Sequence, residues 1–186
     1  MARVDELANK YEKHISLPWQ RTTAGAQRVI MLVYDKEIEK SIRARISEFE
    51  VRTRKHNEYK WQSVDYTDGF AKWMAEDEYR EAYFEHPEDL TTKIESEFVE
   101  HITSDLIRRL DDSDEKTVVA LIGAASLYGF IRISKLISAV ERHIKGRLLV
   151  FFPGTKEGNN YQLLDARDGF NYLAQGITLN GSGGAT

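Results

Sequence analysis

At 186 residues the chain is long enough to bury a substantial core within one domain. With 41% hydrophobic and 30% charged residues it is too apolar for intrinsic disorder, and no apolar run approaches the roughly 20 residues that cross a bilayer. A formal net charge of −4 opposes nonspecific nucleic-acid binding, which depends on neutralising phosphates with many Lys and Arg. Cysteine is absent, which excludes disulfides, thiol nucleophiles and thiolate zinc sites. The five histidines, His14, His56, His86, His101 and His143, lie far apart in sequence and never at a spacing that would hold a metal on one helix face, so no metal or cofactor is expected. The opening MARVDELANKYEKHI scatters acids and bases among its few apolar residues and lacks the apolar core of a secretory signal, so a cytoplasmic protein is expected.

Val4, Leu7, Ala8, Tyr11 and Ile15 recur at helical spacing and predict an amphipathic helix over 3–15, ended by Leu17-Pro18-Trp19. Val29 to Tyr34 is a continuous apolar run of strand length, the pattern of a strand covered on both faces. Asp35 then suits a helix cap, and Ile38, Ile42, Ile46 and Phe49 predict the helix that follows. Trp61 to Tyr66 reads as a second strand, with Thr67 or Asp68 capping a short helix through Phe70, Trp73 and Met74. In EYREAYFEHPEDL, residues 78–90, Pro87 forbids one long helix, so a turn is expected before a helix over about 91–110 that buries Ile94, Phe98, Ile102, Leu106 and Leu110. Residues 117–122, a helix over about 130–144 and RLLVFF at 147–152 read as a βαβ unit. A short strand at Tyr161–Leu164 and a short element near 171–177 complete the pattern. The prediction is a single α/β domain over 1–178, a sandwich with a mainly parallel central sheet of four to five strands flanked by helices. Residues 179–186, ending in GSGGAT, have no apolar anchor, and a disordered tail is expected.

The turn in VVALIGAASLYGF has the outline of a phosphate-binding loop but no lysine to reach a phosphate, so a tight strand-to-helix crossover is the favoured reading. In open α/β sheets ligands sit beyond the carboxyl ends of the strands. Asp35, Asp65 and Ser126 all fall at such ends and form an alternative ligand edge, where two aspartates could hold Mg²⁺, although Asp after a strand is also the commonest helix cap. In Asp165-Ala166-Arg167-Asp168-Gly169 a turn competes with a contact made by the arginine and its two carboxylates. No ordered catalytic triad, cysteine nucleophile or glutamate pair at recognised spacing occurs.

Charge is unevenly spread. Residues 43–60 carry six Lys or Arg against three Glu, whereas residues 65–100 carry twelve acids against three bases. Two solvated helix faces would explain this, and so would a polarised surface that docks on a larger partner. Direct nucleic-acid binding through Arg43, Arg45, Arg52, Arg54, Lys55 and Lys60 is not favoured, because the intervening glutamates dilute the field.

SLPWQRTTAGAQRV at 16–29, EYREAYFEHPEDL, VVALIGAASLYGFIRIS and, above all, RLLVFFPGTKEGNNYQLLDARDGFNYLA at 147–174 together resemble the BrxB family of the bacteriophage exclusion (BREX) defence systems. The resemblance implies a bacterial protein encoded with a large ATPase, a DNA methyltransferase and the phosphatase-like protein PglZ. It supplies no active site. The expectation is therefore a non-enzymatic adaptor that binds other BREX components, PglZ before the ATPase or methyltransferase. Its expected contact residues are Tyr79, Tyr83, Phe84, Glu85, Glu88 and Asp89, with Asp165, Arg167 and Asp168. The alternative is a nucleotide- or metal-dependent regulator or enzyme that uses Asp35, Asp65 and Ser126.

Overall fold

The computed structural model describes residues 2–20, 22–166 and 169–179. Helix α1 (Ala2–Ser16) buries the five residues that its periodicity singles out. Strands β1 (Val29–Tyr34) and β3 (Thr117–Ile122) are buried at every position, as continuous apolar runs require. Strand β2 (Lys60–Asp65) buries only Trp61 and Val64, one on each face, because it lies at the edge of the sheet. With β4 (Arg147–Glu157) and β7 (Gln175–Thr178), these strands pair in parallel in the order β2-β3-β4-β1-β7.

The α/β class expected from the sequence stands, but the sheet is mixed and larger than four to five strands. Strand β4 pairs with β1 as far as Pro153 and then runs on through Gly154–Glu157, antiparallel to β5 (Asn160–Leu163), which in turn pairs antiparallel with the two-residue β6 (Phe170–Asn171). Seven strands result among the described residues. The extra strand on the far side of β1 is β7, whose four residues bury only Ile177 well and so give little periodic signal.

The alternation of side chains along each strand divides the core in two. Val29, Met31, Val33, Val119, Leu121, Leu148, Val150 and Phe152 face one side, packed by α7 (Val99–Asp111) and α8 (Ile133–Val140). Ile30, Leu32, Val118, Ala120, Leu149 and Phe151 face the other, packed by α1 and α3 (Ile46–Arg54). On that second side Phe49 lies between Tyr11 and Phe151, with ring centroids 5.6 and 5.2 Å away. The Thr53 hydroxyl donates to the Phe49 carbonyl, so the buried Tyr11 hydroxyl donates to Thr53 at 2.7 Å.

Two helices differ from their expected form. The helix expected from Ile38 onward is a 3₁₀ turn followed by α2 (Glu39–Arg43) and α3, with a break at Ala44 and Arg45. Residues 69–111 comprise α4 (Gly69–Ala75), α5 (Arg80–Glu85), α6 (Pro87–Lys93), a π turn at Ile94–Phe98, and α7. Pro87 starts α6 at its first position, where its missing N–H costs nothing, and α5 ends just before it.

Candidate docking surface

At the carboxyl edge, Asp35 caps the turn after β1, accepting from the Glu37 N–H at 2.9 Å. Asp65 accepts from the Thr67 N–H at 2.9 Å and pairs with Arg43 at 3.2 Å. Burial works against its ionisation, but the Thr67 hydroxyl and N–H and the Arg43 guanidinium outweigh it and hold the carboxyl below the usual carboxylate range. The two aspartates end strands three positions apart in the sheet, a separation of about 14 Å at the usual strand spacing. Ligands of one hard cation must all lie within about 2.6 Å of it, so these residues do not converge on a metal. A cleft of about 610 Å³ at this edge is lined by Asp35, Lys36, Lys156 and Asp165, and neither Asp65 nor Ser126 reaches it. Among the described residues no group of three acids or histidines is placed to hold a metal ion.

The phosphate-loop outline has a packing explanation. Gly123 has φ +81°, and a Cβ there would stand 2.5 Å from the Thr67 backbone nitrogen. The glycine lets the loop after β2 close against the turn after β3. Ser126 sits in a 3₁₀ turn, not at the start of an α-helix, with its N–H donating to the Gly123 carbonyl.

The aromatic and acidic segment is arranged differently. Lys93 ties it down from α6: its ammonium pairs with Asp77 at 2.7 Å and Glu97 at 3.2 Å, and lies 5.3 Å from the Tyr83 ring and 5.9 Å from that of Trp73. Lys93 and the Tyr79 N–H together hold the Asp77 carboxyl below its ordinary range. Arg80 donates to the Ala75 carbonyl at 2.8 Å. On this fixed base Tyr83 turns inward, while Tyr79 and Phe84 are each 62% exposed. Glu78, Glu85 and Asp89 are exposed without a side-chain partner among the described residues, and Glu88 has only a 3.6 Å contact with exposed His86.

Sequence reasoning missed the clamp, because Asp77 and Lys93 are sixteen residues apart and only the α5–α6 turn brings them together. Asp165 is exposed and pairs with Lys36. Arg167 and Asp168 lie outside the described residues, as do residues 180–186. Asp165 and Ala166 line a groove of about 760 Å³ that also includes Tyr128, Arg132 and, from the π turn following α6, Glu95. None of Tyr79, Tyr83, Phe84, Glu85, Glu88 and Asp89 lines this groove, so it does not join Asp165 to the α5–α6 segment.

The basic stretch on α2 and α3 is used internally. Arg45 bonds Asp5 and Glu48, Arg52 pairs with Glu12 at 2.5 Å and Glu48 at 2.7 Å, and Arg54 pairs with Glu50 at 2.9 Å.

These features define a three-layer α/β protein whose most conspicuous unsatisfied surface is the α5–α6 segment. The family model described as BREX protein BrxB matches residues 62–175, more than half of the chain. The chain belongs to the BrxB family and is a component of a BREX defence system. No curated protein and no solved structure matches it. Among the described residues no helix is long and apolar enough to cross a membrane.

Proposed function

We propose that this protein is a non-enzymatic adaptor of its BREX system. It docks through α5 and the first turn of α6 onto another component, PglZ before the large ATPase or the methyltransferase. The observation that carries this reading is the pair of exposed aromatics, Tyr79 and Phe84, beside Glu85, Glu88 and Asp89 on a segment clamped by Lys93. Large aromatics are enriched among the residues that dominate binding energies, and unpaired charges at the rim steer a partner of opposite charge. A clamped segment also loses less conformational entropy on binding than a loose one. The segment falls inside the span that matches the family model. Asp165, Arg167 and Asp168 form a second contact region, and the partner surface presents basic residues around an apolar recess.

Co-expression of the tagged chain with each BREX neighbour, followed by size-exclusion chromatography with light scattering, tests this. A complex of defined mass with PglZ is expected. A chain that elutes alone in every pairing would refute the adaptor role and return attention to the carboxyl edge.

A further inference from the structure

A parallel sheet gathers the residues that precede its strands at one edge. Here Arg28 precedes β1, Tyr59 precedes β2, Lys116 precedes β3, and Arg147 opens β4. With Trp19 and Lys145 they line a cleft of about 560 Å³, within the range of about 300 to 1,000 Å³ typical of small-molecule sites. This is the amino edge, opposite the one where α/β sheets ordinarily bind ligands.

Arg147 stands apart from the other arginines among the described residues. It is only 8% exposed, it donates to the Gly146 carbonyl at 2.9 Å, and its guanidinium lies 4.6 Å from the centroid of the Trp19 ring. Among the described residues no carboxylate stands within ion-pair distance of it. Burying a cation without a counter-charge is costly, and a guanidinium carries five N–H donors in a planar fork. Burial, with Arg28 nearby, pulls the Arg147 pKa below its ordinary value. Trp19 is held in place by stacking on Tyr59, with centroids 3.8 Å apart and planes 9° from parallel. The lining carries Arg28, Lys116, Lys145 and Arg147 against Glu58 and Glu115, an excess of two positive charges on a chain whose net charge is −4. Glu58 is paired with Lys116 at 2.5 Å.

We propose that this cleft binds a small phosphorylated ligand of mononucleotide size. The phosphate sits on Arg147, supported by Lys116 and Lys145, and the rest of the ligand lies along the cleft past the edge of Trp19, whose two faces are taken by Tyr59 and Arg147. A guanidinium fork matches phosphate oxygens bidentately. This site is independent of the docking surface.

Calorimetric titration of the full chain with AMP, inorganic phosphate and adenosine, alongside thermal unfolding, tests the proposal. AMP is expected to bind at least tenfold more tightly than adenosine and to raise the melting temperature. Arg147→Gln is expected to abolish binding. Because Arg147 opens a core strand, a Lys116→Ala/Lys145→Ala variant, altered only at exposed positions, provides a second readout and is expected to weaken AMP binding about fivefold. No heat and no thermal shift with AMP or phosphate at about 10 mM would overturn the proposal. Equal affinities for AMP and adenosine, or an unchanged AMP affinity in the lysine variant, would overturn it too.

Discussion

On α3 and its approach, Arg45 reaches Asp5 and Glu48, Arg52 reaches Glu12 and Glu48, and Arg54 reaches Glu50, whereas on α5 and α6 the acids Glu85 and Asp89 meet no side-chain partner among the described residues. The difference follows from what lies next to each helix. Leu7, Tyr11 and Phe49 belong to one buried cluster, so α1 and α3 lie side by side, and the acids of α1 come within reach of the arginines of α3. Helix α5 lacks a neighbour of that kind and buries none of its residues. A run of charge is therefore structural or available according to whether a complementary helix is packed beside it. In this protein the basic run is structural, while within the acidic run Asp65, Asp77 and Glu97 are paired and the acids of α5 and the first turn of α6 are available.

The largest expected effect that would sharpen this contrast is on the basic side. The side chains of Arg52, Glu12 and Glu48 are 16%, 28% and 25% exposed, so the pairs are better shielded than ordinary surface ion pairs. Arg52→Ala is expected to destabilise the fold by about 1 to 2 kcal/mol, read as a lower urea midpoint at unchanged slope, and to leave partner affinity alone. On the acidic side, combining Glu85→Lys, Glu88→Lys and Asp89→Lys is expected to change stability by no more than about 0.5 kcal/mol. The same variant is expected to weaken partner binding about tenfold at low salt, mainly through slower association in surface-binding kinetics. Unaltered association would break the comparison.

A smaller effect concerns pH. Lys60, the Thr117 hydroxyl and the Lys116 N–H hold the Asp114 carboxyl down to about 2. A folded-state pKa below the unfolded value of about 4 means that the stabilisation is fully present above that value and is lost as pH falls toward 2. Asp114→Asn is accordingly expected to flatten the stability profile between about pH 4 and 2 in urea titrations, with little change in the shape of the profile above pH 5.

Much of the fold was legible because hydrophobic period carries it. The five buried positions of α1, the uniformly buried β1 and β3, Phe98 at the end of the π turn, and Ile102, Leu106 and Leu110 on α7 all sit where their spacing puts them. Strand order was not legible, since no local pattern says that β1 lies between β4 and β7. That order separates Asp35 from Asp65, two residues that look equivalent in sequence. The exposure of Tyr79 and Phe84 was only half legible: composition shows aromatics among acids, but inward and outward rings are sorted by the Lys93 clamp. Trp19, Tyr59 and Arg147 are scattered across nearly 130 residues; parallel pairing brings the starts of β2 and β4 to one edge, and Trp19 joins them by stacking on Tyr59.

The most direct test of the adaptor account is the affinity of the purified chain for PglZ, measured by titration for the wild type and for Tyr79→Ala/Phe84→Ala. Both side chains are exposed, so the variant is expected to keep its melting temperature while losing about a hundredfold in affinity, roughly 1.4 kcal/mol from each ring. An affinity equal to that of the wild type, from a variant that unfolds at the same temperature, would contradict the assignment of α5 as the docking surface.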